Sequence, residues 1–426
     1  MKAVIVNALE GIRSALNWLV RYHWLSFIII FLLAFAIRYM QLDKITSRHL
    51  TPTANWELSS IAISLMETGE FANPYMLPSG PTAHLPPIYP YLVSFIYRLY
   101  GLTPAGGLAA WILMIGSSSA LLALLPWLAE KLGIGRQAGF LGGVAWAVLV
   151  DWAGHGEYLT GIALGLIMVA FLRRWRTQSI NWWGSLLLGL GAGAAFHLQP
   201  ALLTVVLGLL AFELWWCKGR GKWMHAIVIS SGILLACIPW GWRNYTTFGE
   251  FFFIRSNFGL ELRLGNHEGA LATMEQLDAL GDHIHPRANF SEARKLRDIG
   301  EMAYMQDAQE QALHWIILHP GQFALLTLQR IANVWIGPLH RPAGIASVLG
   351  LTLLAIWGFW RSLPMLDLPQ RAVLLIPLAT FPLVYYFVAY MPRYREPIDW
   401  ILFMLAGAAV WSWVEVEPRV IGTQKD

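Results

Sequence analysis

The chain has 426 residues, 56% of them hydrophobic and only 13% charged. That is too little charge to cover a soluble globule of this size, so the composition excludes a water-soluble enzyme and points to an all-α polytopic membrane protein. The net charge of +4 is small and sorted to one side of the apolar spans, which reads as a topology signal and not as a nucleic-acid footprint.

The first apolar run starts near Trp24, after a mixed segment carrying Lys2, Arg13 and Arg21, and is long enough to span, so no cleavable signal peptide is expected. With about 20 apolar residues needed per span, ten spans are predicted: 24–42, 107–129, 138–152, 157–172, 182–198, 200–216, 225–242, 343–360, 372–390 and 398–414. If the N-terminus is inside, every short inside loop is basic: Lys131 and Arg136, then Arg173, Arg174 and Arg176, then Lys218, Arg220 and Lys222, then Arg361 and Arg371, then Arg419 and Lys425. This order holds only if Tyr89–Gly101 does not cross, which makes that segment an interfacial helix on the outer face. The 22 Trp and 14 Tyr suit interfacial anchors on many helix ends. Cys217 and Cys237 form no disulfide framework.

Two outer segments are long, 41–106 and 243–342, and they divide the chain into 1–242, a loop domain 243–342, and the closing helices 343–426. In the first, Pro78-Ser79-Gly80-Pro81 reads as a turn. In the second, Ser291–Leu318 has helical periodicity, with Leu296, Ile299, Met302, Met305, Leu313, Ile316 and Ile317 on one face and packing down on the membrane domain. Phe323–Trp335 is too polar at Gln329, Arg330 and Asn333 for an easy span and reads as a further interfacial helix.

Residues able to carry chemistry gather in the outer segments. Glu57 stands just beyond the first span and would serve as a general base if burial raised its pKa; its alternative is a carboxylate favoured by a helix N-terminus. Asp151 and Glu157 flank His155 in one tight outer turn, where acids at a span end are costly unless solvated, paired or functional. Glu157 is the better fixed, since it starts the next helix. Arg393 and Arg395, on either side of Tyr394, break the positive-inside pattern and suggest an anion partner, the alternatives being Glu396 or lipid headgroups. Residues 251–269, with Arg255, Asn257, Arg263, Asn266 and His267 alternating with apolar positions, suggest a strand-like lip over the site. His267, His283 and His285 invite a metal reading but match no standard ligand spacing. His84 fits a core or an interfacial role.

Glu57 with LSSIAISLMETGEF, the run GPTAHLPPIYPYL ending at LYG, Glu157 after the third span, His319-Pro320 before FALLTLQRIANVW, and RYREPI at 393–398 together resemble the GT-C membrane glycosyltransferases. The resemblance is in particular to the bacterial relatives of dolichyl-phosphate-mannose protein mannosyltransferases and of lipid A aminoarabinose transferases. The resemblance implies a GT-C-like bundle and an inverting transferase in a bacterial inner membrane. It would move a sugar from a polyprenyl-phosphate donor to an acceptor protein, lipid or glycan on the outer side. By that resemblance Glu57 activates the acceptor, Glu157 supports it, and Arg393 and Arg395 hold the donor phosphate; Asp151 is a further catalytic candidate, and Tyr394, Arg255 and His84 are further candidates for the phosphate. Asn55, Tyr89, Asn257 and His267 are then the candidates for holding acceptor or sugar, and a divalent cation is the one cofactor admitted. The sequence departs from the family pattern in two places: Asn55-Trp56-Glu57 supplies a single acid where relatives often have two, and Leu85 stands where relatives often carry Lys. A transporter or flippase for a lipid-linked saccharide is the main alternative, although acids and cations then belong nearer mid-membrane. A polysaccharide ligase or polymerase is another, and a catalytically silent relative a third.

Overall fold

The computed structural model describes residues 2–46, 50–53, 56–150, 157–177, 181–219, 221–281 and 283–414. Among them all regular structure is helical, and the only extended pairings are two isolated bridges, Ala72 with Pro81 and Thr273 with Tyr390. In chain order the helices are α1 (Lys2–Leu19), α2 (His23–Thr46), α3 (Glu57–Glu67), α4 (Ile88–Tyr100), α5 (Pro104–Leu132), α6 (Arg136–Leu149), α7 (Tyr158–Thr177), α8 (Trp182–Phe196), α9 (Leu202–Trp216) and α10 (Gly221–Phe248). They continue with α11 (Phe258–Gly265), α12 (Met274–Leu280), α13 (Phe290–Ile299), α14 (Glu301–Leu318), α15 (Pro320–Trp335), α16 (Pro342–Ser362), α17 (Leu368–Thr380) and α18 (Glu396–Val414).

Among the described residues, 7 helices are long and apolar enough to cross a membrane: α2, α5, α7, α10, α16, α17 with its 3-10 extension, and α18. The protein is therefore all-α and built to span a membrane several times. Helices α6, α8 and α9 also fall where spans are predicted, but their 14, 15 and 15 residues reach only roughly 21–23 Å, against a hydrocarbon core of about 30 Å.

Helix α18 is the hub, with Trp400, Ile401, Leu402, Met404 and Leu405 almost wholly buried. A helix apolar on all sides has to be surrounded, and small residues let its neighbours come close enough. A Cβ added at Gly358 of α16 would run into the Leu405 carbonyl, and one at Gly407 into the Ala138 carbonyl of α6. Helices α8 and α10 meet in the same way, Gly189 and Gly193 lying against Ile229, Gly232, Ile233 and Ala236. Such small-xxx-small contacts suit packing in lipid, where dispersion replaces the hydrophobic drive.

The two long segments fold on each other at one end of the bundle, called here the loop end. Asn73 (φ 59) accepts from the backbone N–H groups of Ser79 and Gly80 at 3.0 and 2.9 Å, which closes 73–80 around the Pro78–Pro81 turn. The helical periodicity at 291–318 is interrupted by Gly300 (φ 82), which divides it into α13 and α14. Its buried face also differs from the predicted one. Leu296, Tyr304 and Met305 pack with Leu260, Leu264 and Tyr75, whereas Ile299, Leu313 and Ile317 are exposed. Helix α14 thus rests on α11 and on the first loop, and not on the spans. Residues 251–269 form no strand either: after a short loop they enter α11, and Gly259 lets α14 approach at the Met305 carbonyl. The polar residues of α15 turn inward, Arg330 donating to the Gly265 carbonyl and, at 3.3 Å, to Asn266 Oδ1. That satisfies the carbonyl end of α11.

Candidate functional site

Glu57 is the first residue of α3, and three cationic or potentially cationic groups converge on its carboxylate. His84 Nε2 stands at 3.7 Å, His285 Nε2 at 3.6 Å and Arg287 Nε at 3.6 Å from Oε1. Arg287 lies over the exposed Trp56 ring, 5.0 Å from its centroid. Burial alone would raise the Glu57 carboxyl, but the close approach and charge of His84, with the charges of His285 and Arg393, outweigh it and hold Glu57 well below the usual carboxylate range. The condition for a strong general base, a raised pKa, is therefore reversed at this position.

His285 is displaced the other way. Burial pushes it from 6.5 down to about 4 against the pull of Glu57, so it is neutral at pH 7. The unfolded chain then binds a proton that the folded protein refuses. Stability contributed by His285 is present above about 6.5 and is lost as pH falls toward about 4. The melting temperature is expected to decline across that window, and His285→Gln to flatten the decline; an unchanged slope in the variant would exclude His285 as its source.

The ligand atoms of Glu57, His84 and His285 all lie within 4.8 Å of one another. His84 Nδ1 is hydrogen-bonded to the Tyr75 hydroxyl at 3.0 Å, which fixes the ring and leaves Nε2 for the Glu57 side. Two imidazoles, one of them held neutral, and one ionised carboxylate make the N₂O donor set that divalent zinc-type ions favour. The residues therefore fit a metal, through a grouping that the spacing of the histidines did not disclose. His283 pairs instead with Asp278 at 3.4 Å.

Beside this cluster opens a cavity of about 660 Å³, lined by Leu58, Tyr89, Glu157, Arg255, Asn257, Glu261, Arg393 and Tyr394 above a largely apolar wall from α8, α9 and α10. Arg255 Nε donates to the His84 carbonyl at 2.8 Å, tying cavity to cluster. Tyr89 accepts from the Leu159 N–H at 3.2 Å. Tyr394 stacks on Tyr385, centroids 4.5 Å apart. Burial weakens the Arg393 charge, but Tyr394, Glu157, Glu57 and Glu261 more than restore it, so Arg393 stays firmly cationic.

The structure thus brings Glu57, His84, Glu157, Arg255, Asn257, Tyr89, Arg393 and Tyr394 to one region. It does not bring Arg395 there: its Nε meets Asp399 at 2.6 Å and its Nη1 donates to the Val334 carbonyl at 2.9 Å, and it is absent from the cavity lining. Two arginines flanking one residue in a 3-10 turn (Pro392–Tyr394) end on different sides. His267, which bonds the Glu268 carbonyl at 2.6 Å, also lies off the lining. Asn55, Asp151 and His155 lie outside the described residues.

Two carboxylates escaped the sequence reading. Glu261 lines the cavity and accepts from Asn257 Nδ2 at 3.0 Å; its only signal was an acid four residues after Asn257 between two buried leucines. Glu301, at the start of α14, is buried and accepts from the Thr82 hydroxyl, the Ala83 N–H at 2.8 Å and the Ser256 hydroxyl at 2.6 Å. It holds the backbone that carries His84 against the backbone that carries Arg255.

A scan against protein-family models finds no match to this chain, and neither the curated proteins nor the solved structures include a significant similarity.

Proposed function

We propose that the protein is an integral membrane glycosyltransferase with a GT-C-like bundle of about ten spans. It would take a sugar from a polyprenyl-phosphate donor and pass it, with inversion, to an acceptor on the extracytoplasmic side of a bacterial cytoplasmic membrane. The observation that supports this most directly is a single cavity in which an apolar wall adjoins both carboxylates and arginines. An isoprenoid phosphate needs that combination: apolar surface for its tail, planar cations for its phosphate, and a proton acceptor for the incoming nucleophile.

In this reading the acceptor oxygen attacks the anomeric carbon as the bond from that carbon to the phosphate oxygen breaks. The bonding pair leaves on the phosphate, which Arg393 and Arg255 stabilise, and the acceptor proton passes to a carboxylate. Glu157 is the better placed to receive it, because it lines the cavity and Glu57 is held weakly basic by its partners. Glu57 then orients His84 and His285 and lends its charge to Arg393. A divalent ion held by Glu57, His84 and His285, when bound, would supply fixed positive charge beside the departing phosphate.

The test is turnover by the purified full-length protein in proteoliposomes, with a panel of labelled polyprenyl-phosphate hexoses and pentoses. Release of polyprenyl phosphate with the sugar appearing on an acceptor is expected. Movement of intact donor across the bilayer without bond cleavage would make the protein a transporter instead.

A further inference from the structure

We propose that Glu261 is a built-in competitor of the donor phosphate, an internal anion that occupies the cationic pocket at rest and is pushed aside by the lipid phosphate. The inference rests on the donor class proposed above and adds to it a residue that sets how tightly donor and product are held.

Glu261 is surrounded by the groups that would grip a phosphate. Arg255 Nη2 lies 4.0 Å away, the Tyr394 hydroxyl 3.5 Å and Asn257 Nδ2 3.0 Å, and Arg393 feels its charge. Only the Asn257 contact is a well-formed hydrogen bond; the Arg255 contact is beyond that range and the Tyr394 contact at its edge. The carboxylate therefore neutralises the pocket without using up its donors. Arg393 Nε is buried and has no hydrogen-bond partner among the described residues. A planar donor left open, next to a carboxylate held by a single firm bond, is arranged for exchange with a stronger, multidentate anion.

Charge counting gives the exchange a direction. The charged residues of the cavity lining are Glu157 and Glu261 against Arg255 and Arg393, −2 against +2, so the lining is formally neutral at rest. The sugar-bearing donor is a phosphodiester with one negative charge. Transfer leaves a phosphomonoester, which gains a second charge when the anomeric carbon–oxygen bond breaks and its electron pair stays on the phosphate. Cations alone would hold this product more tightly than the donor and stall the cycle. A carboxylate ready to re-enter the same pocket repels the dianion more strongly than the monoanion, and so favours release over retention.

The experiment measures binding of a polyprenyl monophosphate, and of inorganic phosphate as a headgroup control, to purified full-length protein in nanodiscs, together with steady-state transfer. Glu261→Gln is expected to bind polyprenyl monophosphate about 10-fold tighter, to show a lower donor KM and a lower kcat, and to be inhibited more strongly by added product. Glu261→Asp keeps the charge on a shorter stem, should fall between wild type and the Gln variant, and carries the test if the Gln variant does not fold. Unchanged or weaker product binding by the folded variant, with binding intact in the wild type, would overturn the role of Glu261 and leave the donor reading standing. No binding of polyprenyl monophosphate by the wild-type protein would overturn both.

Discussion

Glu57→Gln is expected to lower sugar transfer by about 10–100-fold, the range lost when a group that orients the residues of a reacting centre is removed, in a protein that still folds. The substitution keeps the size of the side chain and removes the one charge on which His84, His285 and Arg287 converge within 3.7 Å. His285 would lose the partner that opposes its desolvation, and Arg393 one of the carboxylates that keep it charged. The ligand set for a divalent ion would lose its only anionic member. Two measurements check this: transfer in proteoliposomes, and the visible spectrum of added Co²⁺, which should report tetrahedral coordination in the wild type and not in the variant. Full transfer activity in Glu57→Gln would remove Glu57 from the mechanism.

The two arginines of the last turn should separate function from stability. Arg393→Gln is expected to cost about 10²–10³ in kcat, as removal of one charge-stabilising donor does, with a smaller loss of melting temperature than Arg395→Gln, because Nε of Arg393 has no hydrogen bond to lose among the described residues. Arg395→Gln should do the reverse. It strips Asp399, a side chain only 13% exposed, of its 2.6 Å partner, and breaking a buried ion pair from one side costs about 3–5 kcal/mol. Activity per folded molecule should survive. If the variants behave alike in both assays, the division drawn from their contacts is wrong.

The sequence made the membrane character legible, because an apolar run needs no partner to be recognised, and it placed Glu57 and His84 in one stretch. It also put Glu157 and Arg393 on the face they share with that stretch, through the alternation of basic loops. What it could not supply was direction. Arg393 and Arg395 are identical in type and two residues apart, and only the 3-10 turn at Pro392–Tyr394 sends one to the cavity and the other to Asp399. The periodicity of 291–318 ran unbroken through Gly300, whose positive φ ends one helix before the next begins. His285 joined Glu57 through a fold contact that no sequence spacing reports. Helix α1 went unread because its charges interrupt the apolar run, although they do not interrupt a helix.

Glu301 has a consequence for how the protein comes to be made. Its carboxylate receives Thr82, which lies 219 residues earlier, so at about 5–20 residues per second of synthesis the earlier loop waits roughly 10–45 s for its anchor. Throughout that interval His84 has its contacts within the first loop, to Tyr75 and Thr82, and lacks those that the later segment brings through Glu301. The loop end of the molecule is thus among its last parts to mature, and a ribosome that stalls before codon 301 would leave Thr82 and Ala83 without their acceptor.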